Sequence, residues 1–395
     1  TSITSITFQN LNNLRTIKCN TNNSLSEITL ENLPKLQSLS CSNSLIKVLE
    51  LEDLPSFSSL DCSYTSLLKK LTFTNVPYFR ELVCKNSGLE SLEVKDFQQL
   101  VKVDCSSSYL LNSITLSNLP SLTELICRLT GLASLKLENL PKLSIVNCSS
   151  NSNLKEIGLK NLPKLSELDC SSTSLLYLEI KDFPLLSVIN SSFNKSLTSL
   201  TLQNLPNLLT LICSQSNLSS LIIKDFPKLS YFFCNESYNL QSLVMEDLPK
   251  LSILDCKGSN LSAMDLSNLP ELSELTFGSR SLKELTLTKL SKVTKITCDG
   301  YGLNFLKVKS LPLLNYLRIN NNNNFSSIKT LILDDLPKLK TFGYDRSDST
   351  EVIEIKNLPE LTELSFYYNK LLKTLKIEDL PKIKKFTCFD SPVLK

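Results

Sequence analysis

The chain has 395 residues, with 42 basic against 39 acidic side chains and neither histidine nor tryptophan. Charge this evenly balanced, with no block of one sign, argues against a nucleic-acid groove and against a polybasic membrane patch. The lack of histidine removes the commonest general base and metal ligand, and no apolar run approaches the ~18 residues of a membrane span.

Residues 1–10 already place Ile3, Ile6 and Phe8 in an apolar pattern that the rest of the sequence repeats. Its clearest copy is Leu162-Pro163-Lys164-Leu165-Ser166-Glu167-Leu168-Asp169-Cys170, then a polar run 171–174, then Leu175-Leu176-Tyr177-Leu178-Glu179-Ile180. Pro34, Pro55, Pro77, Pro120, Pro141, Pro163, Pro206, Pro227 and Pro249 each stand seven residues before a cysteine. Pro184, Pro270, Pro312, Pro337 and Pro359 lead in the same way to Ser191, Phe277, Ile319, Tyr344 and Phe366, and Pro381 leads to Cys388. Gln98 and Ser291 keep the count where proline is missing, and all 13 cysteines fall in this one slot.

Each repeat holds two strand signals, L-x-x-L-x-C and L-x-x-L-x-L. Residues two apart share a strand face, so Leu168 and Cys170 point inward while Glu167 and Asp169 point outward. The Asp or Asn before Leu-Pro (Asn32, Asp53, Asn161, Asp247, Asp379) suits a turn capped by its own side chain. The proline beside it stops the strand. One coil of this length cannot bury a core alone, so coils must stack on both neighbours. The expectation is a β-rich solenoid of about 18 coils, two short parallel strands per coil, few or no helices, in one domain over 1–395.

The phrase L-x-x-L-x-C-x-x-(N/S/T)-x-L, in residues 165–175 and in Leu122, Leu125, Cys127, Thr130 and Leu132, resembles the conserved half of a leucine-rich repeat. The second L-x-x-L-x-L resembles the IRREKO-type subclass of that superfamily. The likeness covers nearly the whole sequence. It departs in using Ser or Thr where the family usually has Asn; Asn151 and Asn369 match. Insertions at 149–153, 320–327 and 345–350 predict an imperfect ladder there. The resemblance implies a curved or gently twisted right-handed solenoid that binds other proteins.

Thiols one coil apart lie within disulfide reach, yet Phe, Ile and Tyr substitute freely in the slot, which favours a small buried hydrophobe. With no C-x-x-C pair and a linear ladder, neither a metal site nor a cofactor is expected. Gly300-Tyr301-Gly302 is too short for a dinucleotide fingerprint. The acid pairs Glu167/Asp169 and Glu246/Asp247 read as solvated positions rather than a sugar-cleaving site, so no enzyme is expected. The lysine after proline (Lys35, Lys142, Lys164, Lys228, Lys250, Lys338, Lys382) reads as a solvated edge rather than an anion-binding column.

Outward strand positions are more telling. They turn apolar mid-sequence at Val188, Ile212, Tyr231, Phe233 and Ile253 on the first sheet and at Ile222 and Val244 on the second, with Ile126 and Ile145 as weaker outliers. Stacked together they would form a contact patch. The partner class is a protein or glycan, with no nucleic acid and no direct membrane insertion. Sequons at Asn22, Asn147, Asn190, Asn194, Asn217, Asn235, Asn260 and Asn324 permit glycosylation in a secretory setting, and the run 320–324 is expected to loop out. Neither end shows a cap or a signal sequence, as in a processed or truncated protein. The alternative is a filament of molecules stacked end to end. A secreted or cell-surface setting is slightly favoured over the cytoplasm.

Overall fold

Alternation along very short strands sets the architecture seen in the computed structural model, which describes residues 3–300, 302–320, 328–345 and 347–389. These residues form a parallel β-solenoid of about 17 turns. Among them are 35 strands and no helix, hence no helix long and apolar enough to cross a membrane. In the reference coil Leu165, Leu168, Cys170, Leu175, Leu178 and Ile180 are all buried, whereas Glu167 is exposed. Each such leucine removed from water contributes about 2 kcal/mol.

The protein packs as two compact units, Thr1–Leu197 with Thr201–Leu205 and Thr198–Leu200 with Pro206–Lys395. In the first unit the L-x-x-L-x-C strands pair in parallel from Thr16–Lys18 onward, and Leu125, Val146 and Leu168 stand in register on successive coils. The L-x-x-L-x-L strands pair two by two, as Val48–Glu52 with Lys70–Thr74 and Ser134–Glu138 with Glu156–Lys160. In the second unit the pair Ser220–Lys224 and Ser242–Glu246 is followed by residues 261–271, which contribute no strand. A five-stranded sheet then runs from Glu284–Leu287 to Thr374–Glu378.

The corners correct one expectation. The Asp or Asn before Leu-Pro is in the left-handed region, with φ of 52° at Asn32 and Asp53 and 54° at Asn161, a conformation that short polar side chains tolerate best. At Asn32, Asp53 and Asn161 the side chain reaches the adjacent coil, and among the described residues none of these three bonds within its own turn. Asn32 Nδ2 donates to Asn10 Oδ1, Asn75 to Asp53 and Asn118 to Asp96, each at 2.8 Å. These residues therefore choose the backbone bend first and link coils second.

A second correction concerns the insertion at 149–153, where no defect appears. Ile145–Asn147 keeps register with both neighbours. Buried Asn151 spans two coils, its Oδ1 accepting from Thr130 N (2.6 Å) and Oγ1 (2.8 Å) while Nδ2 donates to the Cys127 and Cys148 carbonyls (both 2.8 Å). Ser108 in the same slot also reaches the preceding coil, through the Ser87 amide and the Cys84 carbonyl, but its hydroxyl donates only once where the amide donates twice. Residues 321–327, the expected loop among them, lie outside the described residues, as does Arg346 in the third insertion.

Candidate functional site

The outward face of the first sheet presents two columns of side chains, one from each end of the three-residue strands. In the second unit, the pairing of Thr210–Ile212 with Tyr231–Phe233 sets Ile212 beside Phe233. The next pairing sets Tyr231 beside Ile253. Four of the seven predicted residues thus meet as two side-by-side pairs on adjacent strands. Tyr231 is 39% exposed, and Ile212, Phe233 and Ile253 are half-buried by their neighbours. Beyond them the columns turn polar, with Glu274 after Ile253 and Asp255 after Phe233.

The other three stand apart. Ile222 (65% exposed) and Val244 (37%) are register partners on the second sheet, a separate surface. Val188 belongs to the first unit, where its register partner is Glu167. The weaker outliers do not stack on each other, because Ile145 faces Glu124 and Glu167 whereas Ile126 pairs with Asn147.

Acidic side chains on both sheets have local partners. Asp169 Oδ1 accepts from the Ser171 amide (3.0 Å) and hydroxyl (2.7 Å), and Glu246 pairs with Lys224 at 2.7 Å. Buried Asp104 is met by Lys85 at 3.0 Å. Burial, with Asp299 and Glu236 nearby, pushes the Asp255 carboxyl above its ordinary range, against the Lys257 amide and ammonium that pull it down. Several of the proline-following lysines are also partnered: Lys35 with Asn13, Lys228 with Asn207 and Lys382 with Glu360.

The cysteines form the inner rung. All are free thiols, buried except for the half-buried Cys388. Sγ of Cys19, Cys148 and Cys170 lies 3.5 Å from a carbonyl of the next coil, a weak donation that valine or leucine could not make. Burial above all, with the Asp104 or Asp169 charge second where one is near, holds Cys84, Cys127, Cys170 and Cys213 up to about 12. The nucleophilic thiolate is therefore absent at neutral pH. At pH 8 a thiol-reactive disulfide reagent is expected to modify about one cysteine of the native protein quickly and all 13 after denaturation. Rapid reaction of many thiols in the native state would contradict the inward rung.

Glycosylation needs an available amide nitrogen, and one sequon is corrected on that ground. Asn194 is fully buried, its Nδ2 donating to the Cys170 and Ser191 carbonyls, so the folded coil has no room for a glycan there. Asn147 and Asn190 turn Oδ1 toward Ser149 and Ser192. Asn217, Asn235 and Asn260 accept from Asn239, Ser214 and Ser281, and Asn22 donates to the Cys19 carbonyl. Asn324 lies outside the described residues.

By sequence, no family model and no curated protein matches the protein. By structure, YopM from Yersinia enterocolitica superposes over 98% of this chain and 91% of its own, with 19% identity and a TM-score of 0.53. The functional domain of InlJ from Listeria monocytogenes, described as including a cysteine ladder, matches 85% of this chain and 74% of its own (18% identity, TM-score 0.42). A leucine-rich repeat protein from Bacteroides ovatus matches 89% and 79% (12% identity, TM-score 0.37). The fold is that of the leucine-rich-repeat proteins.

Within the leucine-rich-repeat fold, the position three residues after the cysteine slot satisfies a slot carbonyl, its own or, at Ser108 and Ser237, that of the preceding coil. Ser44, Thr65 and Thr130 each donate to their own. In sequence the position is marked by the Asn matches Asn151 and Asn369, and the series fails at Arg280 and Tyr301. Arg280 stands three residues after Phe277, where Ser, Thr or Asn is the rule. In the structure the neighbouring Ser279 takes the inward place opposite Ser259, and Arg280 turns outward at the edge of a cavity.

Proposed function

We propose that this protein is a non-enzymatic recognition scaffold, read as one solenoid domain over 1–395, that docks a protein partner on the first-sheet face of its second unit. The observation that carries this reading is the pairing of Ile212 with Phe233 and of Tyr231 with Ile253 on adjacent outward strands. Aromatic and branched side chains held rigidly by a sheet lose little entropy on contact, and such residues dominate interface energies. The side chains around them are polar, the arrangement of a contact core inside a solvated rim.

The test compares capture of protein from the native source by the wild type, by Tyr231→Ser/Phe233→Ser and by Ile222→Ser/Val244→Ser on the other sheet. The first-sheet double change is expected to weaken binding at least about tenfold with circular dichroism and melting unaltered, while the second-sheet change leaves binding intact. Retained binding by the first-sheet variant would remove this face from the proposal.

A further inference from the structure

Just past the strands that carry the docking face lies a cavity of about 280 Å³, with Tyr238, Ser259 and Arg280 among its walls. Ser259 is 2% exposed, and its hydroxyl has no hydrogen-bond partner among the described residues. Leaving such a buried hydroxyl unpaired is costly unless a ligand satisfies it. In the preceding coils Ser216 and Ser237 satisfy each other at 3.3 Å. The ladder ends at Ser259 because its register partner on the following coil, buried Ser279, donates instead to the Leu261 carbonyl at 2.6 Å, while Arg280 beside it turns outward.

Arg280 is exposed, and its guanidinium carbon sits 5.9 Å from the centre of the Tyr238 ring. That cation–π contact orients a planar fork of donors at the cavity. Among the described residues no carboxylate pairs with it, for the acids nearby are already engaged. Asp299 receives Lys257 at 3.1 Å and Asn320 at 3.0 Å, and Glu236 accepts from Gln215 at 2.8 Å. Their negative charge disfavours a phosphate dianion and leaves room for a single-charged group that matches the fork.

We propose that this cavity takes a carboxylate of the docked protein, from an Asp or Glu residue or from its C-terminus, gripped by the Arg280 guanidinium beside Ser259. The inference rests on the docking face described above, since the cavity begins three residues beyond Phe233 at Glu236.

The experiment follows the Tyr238 ring resonances of the full-length protein by NMR during titration with sodium acetate, with sodium chloride and sodium phosphate at matched ionic strength as references. A saturable shift with acetate is expected, about tenfold weaker in Arg280→Lys, which keeps charge but loses the fork, and lost in Arg280→Gln. An equal shift in chloride, tighter binding of phosphate, or full acetate binding by Arg280→Gln would overturn the assignment. Acetate binding is read without any partner, so its failure leaves the docking face standing. Conversely, Tyr231→Ser/Phe233→Ser is expected to leave acetate binding unchanged even if that face proves not to dock.

Discussion

Phe79→Ala is expected to lower the unfolding free energy by about 3–5 kcal/mol, the range for truncating a fully buried phenylalanine. Phe79 is the hub of an aromatic cluster in the first unit, its ring centre 5.9 Å from Phe57, 4.8 Å from Phe73 and 5.3 Å from Phe97. The slot most often holds leucine, as at Leu36, Leu143 and Leu165, so alanine leaves a void that three rigid rings cannot close. In a stack where each coil contacts only its neighbours, the loss falls on two interfaces at once. Urea unfolding followed by circular dichroism measures it, and Phe79→Leu is expected to recover most of the loss, since leucine is what the coil geometry normally accommodates. A change below about 1 kcal/mol for the alanine variant would mean that the cluster is not packed as described.

Asn151→Ala is expected to cost about 3 kcal/mol or more, a larger effect than Ser44 in the same slot would give. Alanine removes four hydrogen bonds at 2.6–2.8 Å and leaves the Thr130 amide and the Cys127 and Cys148 carbonyls buried without that partner. Water cannot easily replace the amide, because Asn151 is fully buried. Ser44→Ala, which loses only the hydroxyl donation to the Cys41 carbonyl, sets the lower reference at about 1 kcal/mol. Equal effects at the two positions would show that the amide bridge between coils adds nothing over a single local bond.

The two experiments bear on the features that were easiest and hardest to read in the sequence. The inward rung was legible because strand geometry has a period of two and the spacing from proline to the slot never varies. Leu168 and Cys170 could only face the core together. The docking face was half legible. Outward apolar residues were visible, but which of them touch depends on register between coils. Register joins Ile212 to Phe233 and Tyr231 to Ile253, assigns Ile222 and Val244 to another surface, and separates Ile126 from Ile145. The corner residues misled for a similar reason. A capping Asn and a left-handed Asn look identical in sequence, and the choice is made by the bend that the solenoid imposes.

The amino-acid sequence by itself determined the coil, its inward side chains, its two strands and the number of turns to within about one, because each follows from local spacing that repeats. Only the tertiary structure decided which residues of different coils become neighbours, since contacts across coils depend on how consecutive loops of unequal length bring strands into register. Arg280 over Tyr238 and Asn151 across two coils are both of this kind. Each is a relation between residues about twenty or more positions apart, which a stack of coils places side by side.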